Sequence, residues 1–592
     1  MSPSSLAGGL QALADRLEHG AGDAGPVVLV APDLQVHPDA LADLTEDPRP
    51  TTAVLVSRGA GPGDVRPGPG SDVRVRSGRV VGAASSVHTV RAGDARFTGA
   101  MRVASSDRAA AATAARRAAA LAGSSGWAGD PVDLLLVALV RGGTPVGAVS
   151  LDPWPWRRGP GGADAAGFGQ TLAAIGPERS HALRLARATK TEDGAWATLV
   201  SRPLSRRLTP LALRWRLTPD QVTVASFVIG LAAAACFATG NRAALVAGAV
   251  LLQLSLVVDC VDGDVARYQR SFTATGAWLD ASTDRLKEFA CYGGLVFGAD
   301  VGRDGWLLAG VMLTVQTVRH TVDYTFTAVK ELRESDAQPD VPLEVLDDAA
   351  DAADAAGPPG ARAVRASERS NRRAAVKWAK RVLHLGIGER WAVLSVLAAL
   401  GRPVTALLVL LVLALVSFGY TSAGRTLRTR AWSAEPSARE REIVAAQVDT
   451  APLLPRLGAQ LAAGSSRFLW ARPALLRALE YAAVLAVAWS LGDGASTSSA
   501  AAFALLLAVA FHHYDELYRV LNVLTRGSGS HGPRWVLGLG WPGRLGVVVL
   551  LGALTTPGVD VLEGGLWVLA GALGILFLVV EPLGVLREAR DA

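Results

Sequence analysis

The chain has 592 residues, half of them hydrophobic, with three cysteines and a formal net charge of +6. That length exceeds one ordinary domain, and the long apolar runs begin only after residue 222, so an α/β first third should precede a membrane-embedded remainder. So small a net charge, with no nucleic-acid-binding module, argues against nucleic acid as a partner; Cys236, Cys260 and Cys291 form no C-x2-C pair, which excludes a disulfide framework or a cysteine zinc site.

Residues 1–200 are expected to form a soluble α/β domain. Strands are predicted at 26–33, ending in Asp33, and at 52–57, with an alanine-rich helix at 109–122, a helix at 134–141 and a strand at 145–151. This order resembles the sugar-nucleotide nucleotidyltransferase fold, in which an acid after a strand binds metal; the likeness gives Asp33 that place. The glycine-rich loop with a following basic residue, which would cradle a triphosphate, is not found. The domain is therefore either degenerate and regulatory or not a nucleotidyltransferase. Residues 1–25 lack a basic start followed by an apolar stretch, so this domain is expected in the cytoplasm.

Arg202, Arg206, Arg207, Arg214 and Arg216 crowd the entry to the first span, where 204–215 suits an interfacial helix and Thr218-Pro219 suits a helix start. With Arg425, Arg428 and Arg430 after the sixth span, the positive-inside rule places both ends on the cytoplasmic side. Spans are predicted at about 222–239, 242–261, 277–299, 305–328, 391–401 and 403–421. Around the junction of the second and third lies Asp259-x2-Asp262-Gly263-x2-Ala266-Arg267-x8-Gly276-x3-Asp280-x3-Asp284. In helices, the i,i+3 and i,i+4 acid pairs each share one face. Carboxylates at membrane depth need a wet cavity, a partner or a cation, and four facing acids cannot all ionise without compensating charge. Oxygen-only ligands of this kind suit Mg²⁺ or Mn²⁺, Arg267 suits a phosphate, and the small residues leave room for a ligand.

These residues resemble the CDP-alcohol phosphotransferase family, whose motif D-x2-D-G-x2-A-R-x8-G-x3-D-x3-D is matched at every fixed position. The resemblance implies a six-helix membrane core, placed at 201–430, and metal-dependent transfer of a substituted phosphate from a CDP-alcohol to an acceptor alcohol with release of CMP. It implies metal ligands at Asp259, Asp262 and Asp280, a catalytic base at Asp284, and CDP contacts at Gly263, Ala266, Arg267 and Gly276. It further implies a homodimer and a multi-pass protein of the plasma membrane, with its active site facing the cytoplasm. The donor is of the CDP-diacylglycerol or CDP-inositol type. The alternative is a catalytically inactive membrane scaffold on the same core; the four retained acids count against it.

Within span four, Arg319, His320 and Asp323 suit an acceptor pocket or mutual pairing, and Arg390, with Lys380 and Arg381, suits a phosphorylated acceptor or lipid headgroups. The stretch 331–373 reads as a solvated linker, and 430–472 as a second polar one. Residues 431–592 carry further spans near 475–491, 499–517, 543–556 and 563–585, a bundle of unknown function. Its polar run His512-His513-Tyr514-Asp515-Glu516 fits an interfacial helix end better than a metal or proton site built on His512, His513 and Asp515.

Overall fold

The computed structural model describes residues 2–19, 25–49, 51–58, 72–76, 78–90, 93–159, 162–190, 193–336, 342–346, 374–430, 432–450, 455–491, 496–523, 537–556 and 561–584. The chain divides into two compact units: Met1–Thr189 with Ala266–Phe272 and Leu332–Gly357, and Lys190–Val265 with Thr273–Glu331 and Pro358–Ala592.

The first unit is α/β. Its strands are β1 (Val27–Val30), β2 (Leu34–Val36), β3 (Ala53–Ser57), β4 (Asp72–Arg76), β5 (Arg79–Ala83), β6 (Ala95–Val103), β7 (Val146–Ser150) and β8 (Trp156–Arg158). Six form one sheet in the order β1-β6-β3-β7-β5-β4, in which β3 and β7 run parallel, while β2 and β8 pair separately. Pro3–His19, Arg108–Ser125 and Pro131–Arg141 supply its main helical cover. A stripe at Ala111, Ala115, Ala118 and Ala122 shares the core with Leu6, Leu10 and Leu17, small side chains letting two helices approach closely. The long strand β6 escapes a hydropathy reading because Arg96, Gly99 and Arg102 interrupt it. Arg102 is nonetheless buried, its guanidinium donating to the carbonyls of Leu44, Asp47, Arg49 and Thr51.

Two later segments of the chain belong to this unit. Of the expected linker 331–373, residues 337–341 and 347–373 lie outside the described residues, but 342–346 are not solvated linker. Leu343 is buried in the apolar core, and the Thr89 amide donates to the Leu346 carbonyl at 3.0 Å. Buried His88 lies 2.8 Å by Nε2 from the Leu343 carbonyl and 2.7 Å by Nδ1 from the Ser85 hydroxyl, a pairing that suits the neutral ring with its proton on Nε2. Residues 266–272 are held likewise. Arg270 pairs with Asp43 and Glu46, both at 2.8 Å, Tyr268 Oη lies 2.6 Å from His181 Nδ1, and Arg267 donates to the Ala188 carbonyl.

The second unit is helical. Its first membrane-length helix, Pro219–Ala238, opens with a capping box in which Thr218 accepts from the Gln221 amide at 3.3 Å and Gln221 accepts from the Thr218 amide at 3.0 Å. Arg242–Gln269, Ala274–Ala299, Gly302–Asp336, Ile387–Ala399 and Pro403–Thr429 follow; six helices stand where six spans are expected, but only Pro219–Ala238, Arg242–Gln269 and Pro403–Thr429 among them are by themselves long and apolar enough to cross a membrane. Six helices among the described residues are long and apolar enough to cross a membrane: Pro219–Ala238, Arg242–Gln269, Pro403–Thr429, Leu469–Leu491, Thr497–Arg519 and Val561–Gly584. Ala274–Ala299 is not one of them, because Asp280, Asp284, Arg285, Lys287 and Glu288 crowd its middle. Ala375–His384 and Ile387–Ala399 meet at a 69° bend, with Leu385 at φ 51° in the break. The supposed polar linker 430–472 contains the helices Ala438–Ala445 and Pro455–Ala462, and buries Val444, Val448, Leu469 and Trp470. Its apolar positions are too sparse for a pattern but sufficient for a small core.

Burial holds the His88 imidazole below its ordinary pKa of 6.5. The folded state thus favours the neutral ring: its contribution is complete above about pH 6.5 and is lost as pH falls, when the unfolded chain takes up the proton. Amide hydrogen exchange in 342–346, corrected for intrinsic rate, should accelerate between pH 7 and pH 5.5, and His88→Gln should abolish that dependence.

Candidate active site

The motif acids stand on two helices as their spacing requires. Asp259 and Asp262 lie on Arg242–Gln269, and Asp280 and Asp284 on Ala274–Ala299. The second helix starts where Thr273 accepts from the Gly276 amide at 2.9 Å. A Cβ at Gly276 would sit 2.9 Å from Thr273 Oγ1 and 3.0 Å from Asp220 Oδ1, so this motif position has no room for a side chain.

One carboxylate oxygen from each of Asp259, Asp280 and Asp284 lies within 4.8 Å of the others. Among the described residues none donates a hydrogen bond to the Asp280 carboxylate, as befits an acid whose partner is a cation. The all-oxygen donor set fits a hard divalent ion. Asp262 accepts from Thr223 Oγ1 at 2.6 Å, and Asp259 from Ser226 Oγ at 3.0 Å. Asp264 is fully buried on another face, taking hydrogen bonds from Arg202, Ser205 and Thr209 at 3.1–3.3 Å. It anchors the arginine-rich helix Arg202–Arg214 rather than joining the cluster.

Lys287 completes the cluster and was not among the residues predicted from sequence. Its ammonium lies 2.7 Å from Asp259 Oδ1, 2.9 Å from Asp284 Oδ1 and 2.8 Å from Ser226 Oγ, with no solvent exposure. A signal was present: Lys287 follows Asp280 and Asp284 at i+7 and i+3, on the same helix face, in a segment where a lysine needs a partner. Its methylenes pass over Gly230, where a Cβ would stand 2.6 Å from Lys287 Cδ.

The residues expected at an acceptor pocket have other contacts. Arg390 makes a two-pronged ion pair with buried Glu288, at 2.6 and 2.8 Å, and Tyr292 donates to the same carboxylate at 2.7 Å. Arg319 donates to the His384 and Leu385 carbonyls, and His320 Nδ1 lies 2.6 Å from Tyr514 Oη. Lys377, Lys380, Arg381, His384 and Tyr420 instead line a cavity of about 570 Å³, together with Asp193. Gly263 lies on the helix of the first acid pair. Ala266 and Arg267 fall within the first compact unit.

In the first unit, Asp33 immediately precedes β2, whose Leu34 pairs in register with Arg158 of β8. The Arg158 guanidinium meets Asp33 at 3.0 Å, Asp130 at 3.1 Å and Asp133 at 2.6 Å. Burial pushes the Asp133 carboxyl up to about 7, against the pull of Arg158. The place the nucleotidyltransferase likeness gave to a metal thus has an arginine as its counter-ion.

Residues 216–337 match the family model described as CDP-alcohol phosphatidyltransferase, and residues 457–583 match a family of unknown function (DUF5941). The chain is 33% identical over 152 residues to a bifunctional IPC transferase and DIPP synthase of Aquifex aeolicus, covering 24% of this chain and 34% of that protein. It is 38% identical over 112 residues to an archaetidylinositol phosphate synthase of Methanothermobacter thermautotrophicus (19% and 54%). With a phosphatidylinositol phosphate synthase of Mycolicibacterium smegmatis it shares 38% over 124 residues (20% and 54%). The matches span between a third and about half the length of these relatives. The resemblance read from the motif holds for the segment that contains it, residues 216–337.

Lys287→Met leaves Asp259 and Asp284 facing each other without their shared cation. Breaking such a buried pair should destabilise the metal-free protein by about 3–5 kcal/mol. Thermal unfolding of the detergent-solubilised chain in EDTA should show the loss, and added Mg²⁺ or Mn²⁺ should raise the variant's midpoint more than the parent's.

Proposed function

We propose that the chain transfers a substituted phosphate from a CDP-alcohol to an acceptor alcohol, releasing CMP, in the synthesis of a phospholipid or its polar headgroup. The observation that carries this is the convergence of Asp259, Asp280 and Asp284, bridged by Lys287, inside a segment matching the CDP-alcohol phosphatidyltransferase model. Asp259, Asp262 and Asp280 would hold a divalent ion, Mg²⁺ or Mn²⁺, whose charge offsets that of the pyrophosphate. Asp284 takes the proton of the acceptor hydroxyl as its oxygen bonds to the phosphorus bearing the alcohol moiety. The pyrophosphate P–O bond breaks, and its electron pair leaves with CMP. Lys287 positions Asp284 and Asp259, while Gly263, Ala266, Arg267 and Gly276 lie against the CDP moiety.

The relatives' names point to a phosphorylated polyol as acceptor, and the cavity rimmed by Lys377, Lys380 and Arg381 has the charge to receive its phosphate. Arg319 and Arg390 hold the segment His384–Leu385 beside that cavity through its carbonyls, while His320 is engaged with Tyr514. In this reading 1–200 is a degenerate nucleotidyltransferase-like domain, 201–430 the transferase core and 431–592 an appended bundle. The protein works as a homodimer in the plasma membrane, with its site toward the cytoplasm; the arginines flanking the core favour that orientation.

The test is CMP release by the purified full chain with CDP-diacylglycerol or CDP-inositol, Mg²⁺ or Mn²⁺, and a panel of alcohols and their phosphates. Acceptor-dependent CMP should form and fall about 10²–10⁴-fold in Asp284→Asn. CMP formed equally without acceptor, or unchanged in that variant, would remove Asp284 from the reaction.

A further inference from the structure

The C-terminal bundle contains a second set of ionisable groups, drawn from five segments. Asp449 follows the helix Ala438–Ala445, Glu480 lies on Arg472–Leu491, His512, His513 and Glu516 on Ser496–Val523, Arg544 on Gly540–Leu554, and Glu581 on Val561–Gly584. The run 512–516 is therefore not an interfacial helix end: His512, His513 and Asp515 are buried, and Asp515 turns away to Trp278 and Arg519, each at 2.7 Å.

The contacts leave the set short of positive charge. Arg544 spans Asp449 and Glu480 at 2.6 and 2.7 Å, and His512 stands among Glu581, Glu516 and Asp449 at 3.2–3.9 Å. Counting Arg477, which lies 3.4 Å from the His513 carbonyl, two guanidiniums face the four carboxylates of Asp449, Glu480, Glu516 and Glu581. With His512 and His513 neutral, two negative charges remain within a bundle whose outer faces carry exposed Leu475, Leu479, Leu550 and Val568. A divalent cation supplies that balance in one group.

The geometry offers a place for it. One ligand atom from each of Asp449, His513 and Glu516 lies within 4.8 Å of the others. Independently, Glu480 Oε2 has no hydrogen-bond partner although the side chain is only 2% exposed, and it is aimed at His513 Nε2 from 3.8 Å. Tyr481 Oη lies 2.8 Å from His513 Nδ1; when it accepts the Nδ1 proton, the Nε2 lone pair faces the carboxylates of Asp449 and Glu480, with Arg544 Nη2 3.4 Å away.

We propose that Asp449, His513 and Glu516, with Glu480 alongside, bind a divalent transition-metal ion, Mn²⁺ or Zn²⁺, separate from the acid cluster of the motif. Its mixed nitrogen and oxygen donors distinguish it from the all-oxygen acid cluster of the motif. Arg544 orients Asp449 and Glu480 as ligand carboxylates are commonly oriented. The ion would tie together two helices and the segment before them.

The experiment uses the full chain carrying Asp259→Asn and Asp280→Asn, stripped with chelator and titrated with Mn²⁺ or Zn²⁺ alone. One ion per chain should remain bound, and pulsed electron paramagnetic resonance of the Mn²⁺ form should show coupling to an imidazole nitrogen. His513→Gln and Glu516→Gln should each weaken binding at least about 100-fold, and His513→Gln should remove the coupling. The spectrum of the His513-containing chain decides the matter even where a variant does not fold. No retained ion would overturn the proposal, leaving the balance to protons on His512 and His513. Binding without nitrogen coupling would overturn it equally.

Discussion

The candidate active site depends on one ammonium among carboxylates. Three acids brought within 4.8 Å of one another in an apolar helical bundle repel each other strongly, since a low-dielectric surround neither hydrates nor screens them. Lys287, fully buried, bridges Asp259 and Asp284, while among the described residues none donates to Asp280. The helices must also lie close enough for that bridge, and Gly230 provides the clearance for its methylenes. At Gly294 a Cβ would stand 2.4 Å from the Ala234 carbonyl, so the same two helices, Pro219–Ala238 and Ala274–Ala299, are in near-backbone contact further along.

Acid clusters recur in the molecule, each with its own buried cation. In the first unit Arg158 gathers Asp33, Asp130 and Asp133, and in the C-terminal bundle Arg544 joins Asp449 and Glu480. The three clusters differ in what their cations leave open. Arg158 offers a separate nitrogen to each acid. Lys287 touches two of three acids, and Arg544 leaves one oxygen of Glu480 without a partner. Those two are the clusters in which a divalent ion has donors available.

The membrane-region helices were legible in the sequence because apolar runs and caps are local signals: Thr218-Pro219 announced the helix Pro219–Ala238, and the acid spacings announced two helical faces. What escaped was non-local. Strand β6 hid behind Arg102, whose charge is satisfied by four carbonyls that only the fold brings near. Residues 342–346 looked like linker because a single leucine, Leu343, does their anchoring. Lys287 was visible as a charge at membrane depth, but its partners lie on two helices. The histidine pair was read as interfacial because Asp449 and Glu581 are distant in the chain.

The most direct test of the central claim is CDP binding by the purified full chain, measured calorimetrically with and without Mg²⁺ or Mn²⁺. The account predicts metal-dependent binding that is lost in Asp259→Asn. CDP affinity indifferent to metal and to that substitution, or no CDP binding at all, would contradict it and favour a membrane scaffold without transferase activity.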